Sequence, residues 1–279
     1  MSPIDVVLDA PGRWSEPVRA TLGSLPRSFA VVPDAPADGR PWVAALDGGS
    51  GWAVRALEIA ARGPACVVLL HPELQDPASL AGLLRVGRAP FVVQTHWSGS
   101  PGAAALASVG GDGRTLPAGL RVLDSRLVVP VGSHLGATFA GQLALLRACV
   151  GPVAHVRGVS WGAWGYCARV VLADGTAATA SAVISDAEAP SARLLAVGAA
   201  AVLEASAPWW TSAAPAVVTR LDARGATTAP EVYESAARAT WRRVRDLVAG
   251  EQPGDDLAGW IDDQAAAFAV ASTRGSVTS

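Results

Sequence analysis

Short, continuous apolar runs recur through the first third of the chain. Ile4–Leu8, broken only by Asp5, and Phe29–Val32, Trp42–Leu46 and Val67–Leu70 are each four or five residues long and do not alternate regularly with polar positions. Such runs predict strands buried on both faces. Glu16–Gly23 predicts a helix after the first run. Trp52–Arg62, with apolar Val54, Leu57 and Ile59, predicts one after the third. Ser79–Val86, following Asp76-Pro77, and the apolar stretch Pro90–Val93 continue the alternation. Strand-helix alternation of this kind predicts a parallel α/β sheet with right-handed crossovers.

From residue 98 the pattern changes. Gly99–Ala107 reads as a small-residue helix or loop, Gly110–Gly119 as a turn-rich link and Arg121–Val129 as extended chain. In His134–Ala148, Leu135, Phe139, Leu143 and Leu146 share one helical face. Strands are then predicted over Ala154–Trp161, Tyr166–Leu172, Thr176–Ile184, Arg193–Val197 and Val217–Asp222, with Ala173-Asp174-Gly175 as a hairpin turn. Amphipathic helices over Glu231–Ala249 and Leu257–Ser272 close the chain around a Gly250–Asp256 loop. The expectation is a first α/β domain over residues 1–97 and a second, α+β domain over 98–279. The second would carry an open, mainly antiparallel sheet flanked by helices.

Composition narrows the function classes. With 279 residues, 51% of them hydrophobic, and a mean hydropathy of +0.32, the chain has material for a large core. The net charge is −2, and all 22 basic residues are scattered arginines, which argues against nucleic acid as a partner. The absence of lysine excludes Schiff-base and P-loop chemistry that depends on its amine. Cys66, Cys149 and Cys167 are odd in number, far apart and set among apolar residues, as buried thiols would be. With no basic-then-apolar leader and no long apolar window, a cytoplasmic protein without a membrane span is expected.

The stretch Ala65–Leu74, ACVVLLHPEL, holds the most suggestive candidate. In an open α/β sheet, reactive groups gather just past the carboxyl ends of the strands, where His71 falls. It is either a proton-transfer group or a strand-end histidine bonded to backbone. His96 follows the next strand. His134 opens a helix, where it either caps the end or orients a substrate carbonyl, and His155 sits inside a strand as a surface or packing residue. The spacing of these histidines does not suit a metal site. Gly48–Trp52, GGSGW, lacks a serine nucleophile elbow but offers backbone donors at a helix start. Ten tryptophans stand against two tyrosines. Trp161, Trp164, Trp209 and Trp210 could line a pocket for an aromatic, heterocyclic or carrier-tethered substrate, or pack an interface.

Leu70-His71-Pro72 after AARGPACVV resembles the strand and Glu-Lys-Pro hallmark of the Gfo/Idh/MocA oxidoreductases, in which a Rossmann-like half precedes an open antiparallel sheet. Histidine in place of lysine makes the motif more similar to the thiazolinyl imine reductases of siderophore assembly, which carry Glu-His-Pro. VVQTHWSGSP, Val92–Pro101, is similar in layout to their next segment, with Trp97 in place of a tyrosine and His96 beside it. VPVGSHLGATFAGQLALLRACVGPVAHV resembles the D-x-G-x-H-x-x-D segment and its helix. Gly132 and His134 match it, and Pro130 and Ala137 replace its aspartates. The resemblance implies NADP or NAD as cofactor, a homodimer paired through its sheets, and His71 with His96 and His134 as catalytic residues; Trp97 joins Trp161 and Trp164 as the substrate-binding candidates.

The departures matter too. Asp9-Ala10-Pro11-Gly12-Arg13-Trp14 lacks the dinucleotide glycine pattern, so Gly12 and Arg13 would have to hold an anion there, with Asp34 left to meet a ribose. Between Asp34 and Trp42 there is room only for a loop, where the family it resembles places a further helix-strand-helix section, so the expectation is a truncated Rossmann-like half lacking one strand-helix unit. Three functions follow as alternatives. The first is an NAD(P)-dependent imine reductase of natural-product or siderophore tailoring. The second is a relative that has lost the nicotinamide and works as a cofactor-free cyclase or isomerase, and the third is a non-catalytic partner subunit.

Overall fold

The computed structural model describes residues 2–9, 12–86, 89–109, 116–251 and 254–275. Its elements run β1 (Ile4–Leu8), α1 (Ser15–Gly23), β2 (Phe29–Val32), β3 (Trp42–Asp47), α2 (Trp52–Ala61), β4 (Cys66–Leu70), α3 (Pro77–Leu80), α4 (Leu83–Val86) and β5 (Phe91–Gln94). Next come α5 (Pro101–Val109), β6 (Val122–Val129), α6 (Leu135–Val150), β7 (Val153–Gly162), β8 (Gly165–Leu172) and β9 (Ala177–Ile184). The chain ends with β10 (Ser191–Val197), β11 (Ala201–Pro208), β12 (Val217–Asp222), β13 (Gly225–Thr228), α7 (Ala236–Val248) and α8 (Leu257–Gly275).

Two compact units result. The first runs to Thr95 and takes back Ala237–Phe268; the second holds His96–Ala236 and the chain from Ala269. The change of unit thus falls two residues before the expected boundary at 97. The closing helices, expected in the second domain, lie largely in the first. The reason is apolar packing: Trp241 and Val244 of α7 are fully buried in one cluster with Val6, Val43, Val68 and Val92. Phe29 meets Trp241 edge-on at 5.3 Å.

The first unit is a five-stranded parallel sheet in the order β2-β1-β3-β4-β5. All five residues of β4 are buried, as its unbroken apolar run requires. The chain leaves β1 toward β2 and then returns to its other side as β3, so the switch point of the sheet lies between β1 and β3. Among the described residues no strand lies outside β2. At the opposite edge, Asp255 and Asp256 accept the backbone N–H groups of Phe91 and Val93 at 3.3 and 3.0 Å. Arg243 of α7 grips Asp256 with two bonds of 2.7 and 2.8 Å, so α7 and the loop after it close the β5 edge.

The second unit is an eight-stranded sheet, β13-β12-β11-β10-β6-β9-β8-β7, antiparallel except where β6 pairs with β9. Helices α5 and α6 pack against it. Gln142 of α6, fully buried, donates to the Ser125 and Ser181 carbonyls and to Ser125 Oγ, and accepts from the Tyr166 hydroxyl at 2.8 Å. One amide therefore ties the helix to β6, β9 and β8.

Several elements differ from expectation. β11 and β13 are strands the apolar pattern did not reveal. The segment expected as one helix over 79–86 is two short ones, and α7 begins at Ala236 rather than Glu231. The predicted 110–119 link lies mostly outside the described residues.

Candidate functional site

The carboxyl ends of β1, β3 and β4 carry the first unit's polar cluster, and His71 is its most constrained member. His71 has φ +45°, the only non-glycine positive φ among the described residues. Its N–H continues the sheet ladder to the Gln94 carbonyl at 2.8 Å, while Pro72 disfavours the right-handed helical region for the residue before it. The next residues are pinned from three sides. Gly48 donates to the Leu70 carbonyl and accepts from the Glu73 N–H, at 2.8 and 2.7 Å. A Cβ on Gly48 would lie 2.3 Å from Pro72 Cα, so only glycine permits this approach. Trp52 Nε1 donates to the Glu73 carbonyl and Gln264 of α8 accepts from the Gln75 N–H, both at 2.9 Å.

His71 is 8% exposed. Trp14 lies against it with ring centroids 4.3 Å apart, and Gln94 Nε2 approaches His71 Nε2 at 3.4 Å. Gln94 is itself buried, and its Oε1 has no partner. A side-chain amide can turn either its oxygen or its nitrogen to a neighbour, so Gln94 can serve a ring nitrogen that carries a proton or one that lacks it.

Asp47, at the end of β3, organises the other half of the cluster. Its Oδ2 accepts the Trp14 N–H at 3.1 Å, at the amino end of α1, and its Oδ1 accepts the Gly49 N–H at 2.9 Å. A Cβ on Gly12 would fall 2.2 Å from Asp47 Oδ2. Arg55 of α2 bridges the strand ends, pairing with Asp9 at 3.2 Å and donating to the carbonyls of Asp47 and Ser50 at 2.8 and 2.7 Å. The GGSGW loop thus spends its turn on Asp47 and Arg55.

The other candidates fall as follows. Arg13 is exposed with its guanidinium 4.8 Å from the Trp14 ring centre, and Asp34 is exposed just past β2. His96 and Trp97 belong to the second unit, where His96 stacks on Trp209 at 4.3 Å and the buried Trp97 donates to the Pro208 carbonyl at 3.1 Å. His134 is the exposed first residue before α6, and its carbonyl accepts the Thr138 N–H. Trp161 stacks on Tyr166 and meets Phe139 edge-on, while Trp164 projects from the β7–β8 turn, 68% exposed. Burial pushes the Cys66 and Cys149 thiols up to about 12, so neither is a ready nucleophile. Among the described residues no group of three histidine, cysteine or acidic side chains could hold a metal ion, and no helix is long and apolar enough to cross a membrane.

Solved structures share this architecture from end to end. UDP-N-acetylglucosamine 3-dehydrogenase GnnA from Acidithiobacillus ferrooxidans matches with a TM-score of 0.73 at 12% identity, over 96% of this chain and 97% of its own. KijD10, a 3-ketoreductase from Actinomadura kijaniata solved with NADP, matches with a TM-score of 0.71 at 12% identity, over 97% of each chain. The fold is that of the Gfo/Idh/MocA-type oxidoreductases. No protein-family model and no curated protein matches the sequence.

The cofactor that this fold implies can be tested against the residues present. A dinucleotide needs its pyrophosphate at the amino end of the first helix, approached by glycines. In this chain a carboxylate holds that end, a second one, Asp9, lies beside it, and Trp14 stands where a small residue is needed. Arg55, which bridges the cluster, is engaged by the Asp9 carboxylate and by the Asp47 main-chain carbonyl. Among the described residues, this arrangement does not fit a dinucleotide phosphate. Asp47 and Gln94 were missed in the sequence; Asp47-Gly48-Gly49 carries the signature of an aspartate bonding two residues on, which could have found the first.

Proposed function

We propose that this chain performs proton transfer on a small-molecule or carrier-tethered substrate at the carboxyl end of β4, with His71 as the acid–base residue and without a nicotinamide. The observation that carries the reading is His71 itself, a buried imidazole held in a strained backbone conformation between Trp14 and Gln94. Strain of this kind persists where the surroundings impose it and clusters at functional sites. Imidazole titrates near neutrality, so one ring can take a proton from carbon or nitrogen and return it elsewhere, as an isomerase or cyclase requires. Gln94 orients the ring in either protonation state.

The test is solvent deuterium incorporation. Imine- and thiazoline-bearing compounds, free or as carrier thioesters, are incubated with protein in deuterium oxide without nucleotide and followed by mass spectrometry. Exchange by the native protein that is lost in His71→Ala supports the reading; exchange or turnover that requires NADPH overturns it. The second outcome belongs to a rival that the fold neighbours favour. KijD10 was solved with NADP and GnnA is a dehydrogenase, so NAD(P)-dependent oxidoreduction, with imine reduction as the form suggested by His71-Pro72, is the second reading.

A homodimer through the open face of the eight-stranded sheet belongs to the same proposal. The register aligns Arg169, Thr179, Asp124, Leu195 and Glu204 in one row across β8, β9, β6, β10 and β11. Arg169 and Glu204 lie two strands to either side of β6, so a two-fold axis there sets Arg169 against the partner's Glu204. Light scattering should show dimer weakened by Glu204→Arg and restored by adding Arg169→Glu; a monomeric native protein would end this reading.

A further inference from the structure

Asp47 does something the fold does not require of its position. The switch point of the parallel sheet lies between β1 and β3, and the helix that begins there is α1. Its amino end presents backbone N–H groups to an anion. The anion present is Asp47, accepting from Trp14 on one oxygen and from Gly49 on the other. Gly12 leaves room for the carboxylate where any side chain would collide with it. Arg55 anchors the Asp47 backbone through its carbonyl and neutralises Asp9. Two elements therefore converge on one carboxylate, the amino end of α1 and the glycine loop before α2, while α2 holds the same residue by its main-chain carbonyl.

We propose that Asp47 is a specificity-determining residue that excludes phosphate-bearing cofactors by supplying its own anion to α1. A dinucleotide pyrophosphate would have to displace a carboxylate that two N–H groups hold, and would then lie beside Asp9. Substituting Asp47 removes the occupant but leaves the amino end of the helix, Arg55 and the glycine loop in place. The inference rests on the cofactor-independent reading above and fails separately from it.

The experiment titrates NADPH, and sodium pyrophosphate as the bare anion, into native protein, Asp47→Ser and Asp47→Asn, read by calorimetry and by tryptophan fluorescence. Circular dichroism confirms that each variant is folded. Asn keeps one oxygen acceptor while losing the charge, so it answers if Ser does not fold. The expected result is no saturable NADPH binding by native protein up to millimolar concentration, and at least a tenfold gain in affinity for pyrophosphate and NADPH on substitution. Two results overturn the inference: micromolar NADPH binding by native protein, or folded variants that bind neither ligand better than native. The second leaves the cofactor-independent reading standing, because it shows only that Asp47 is not the barrier. Exchange that demands NADPH in the deuterium assay removes that reading instead.

Discussion

Replacing Gln142 with leucine tests how the second sheet is fastened to α6. The side chain is fully buried and makes four hydrogen bonds of 2.8–3.1 Å to groups on β6, β8 and β9. Leucine fits the volume but silences all four. The heaviest loss falls on Tyr166, whose buried hydroxyl gives up its acceptor at Gln142; an unsatisfied buried hydroxyl costs about 1–3 kcal/mol. With the lost donor to Ser125 and Ser181 added and the gain from burying an apolar group subtracted, the net destabilisation is about 3 kcal/mol. At roughly 2–4 °C per kcal/mol, the melting midpoint falls by about 6–12 °C. Tyr166→Phe alone leaves the Gln142 oxygen without a donor and costs about 1–2 kcal/mol. Combining the two removes both orphaned groups, so the double variant should be more stable than the sum of the singles by about 1–2 kcal/mol. Melting followed by near-ultraviolet circular dichroism on all four proteins closes the cycle. A coupling within about 0.5 kcal/mol of zero would refute the reasoning, because independent sites add to that precision.

At position 71, Gly should be more stable than Ala by about 1 kcal/mol in denaturant midpoints, since both lose the ring but only alanine is strained at φ +45°; equal midpoints would show that the conformation is unstrained. A thiol reagent at pH 8 should label at most one cysteine of the folded protein, Cys167, and all three after denaturation, because burial holds Cys66 and Cys149 near 12. Two native labels would contradict that burial. Desolvation raises the Asp124 carboxyl, against the opposing pull of Arg126. A carboxyl whose pKa is higher folded than unfolded favours the fold while protonated, so its contribution is present below the unfolded value and lost as pH rises through the folded one. Stability of the native protein relative to Asp124→Asn should accordingly fall across that window, and parallel pH profiles would remove Asp124 as the cause.

The parallel sheet was legible because its strands are buried on both faces and spell unbroken apolar runs, as CVVLL does in β4. The short connection from β2 to β3 was legible in the bare count of residues between Asp34 and Trp42. β11 was not: AVLEASAP is half alanine and serine, which carry little strand propensity, and its pairing with β10 and β12 decides its state. The return of α7 to the first sheet was hidden for a similar reason. An amphipathic helix announces that it packs, and only contacts such as Trp241 with Phe29 say against what. At the site, His71 stood out through its strand-end position. Gln94 directly follows the apolar stretch Pro90–Val93 and Asp47 directly precedes Gly48-Gly49, positions that carry no chemical signal by themselves. Their importance lies in groups 23 and 33 residues away, which local pattern cannot reach.

The two borders of the five-stranded sheet are unlike each other. Along β5 the carboxylates of Asp255 and Asp256 occupy backbone donors that a further strand would need, with Arg243 fixing one of them. Along β2 no further strand pairs among the described residues, and the chain after it runs through a largely exposed loop to Trp42. Growth of this sheet is therefore one-sided. A strand-helix module grafted between Asp34 and Trp42 would meet a receptive hydrogen-bonding border, whereas the same module offered to β5 would meet one already sealed, which makes the 34–42 loop the natural port for rebuilding or enlarging this half of the protein.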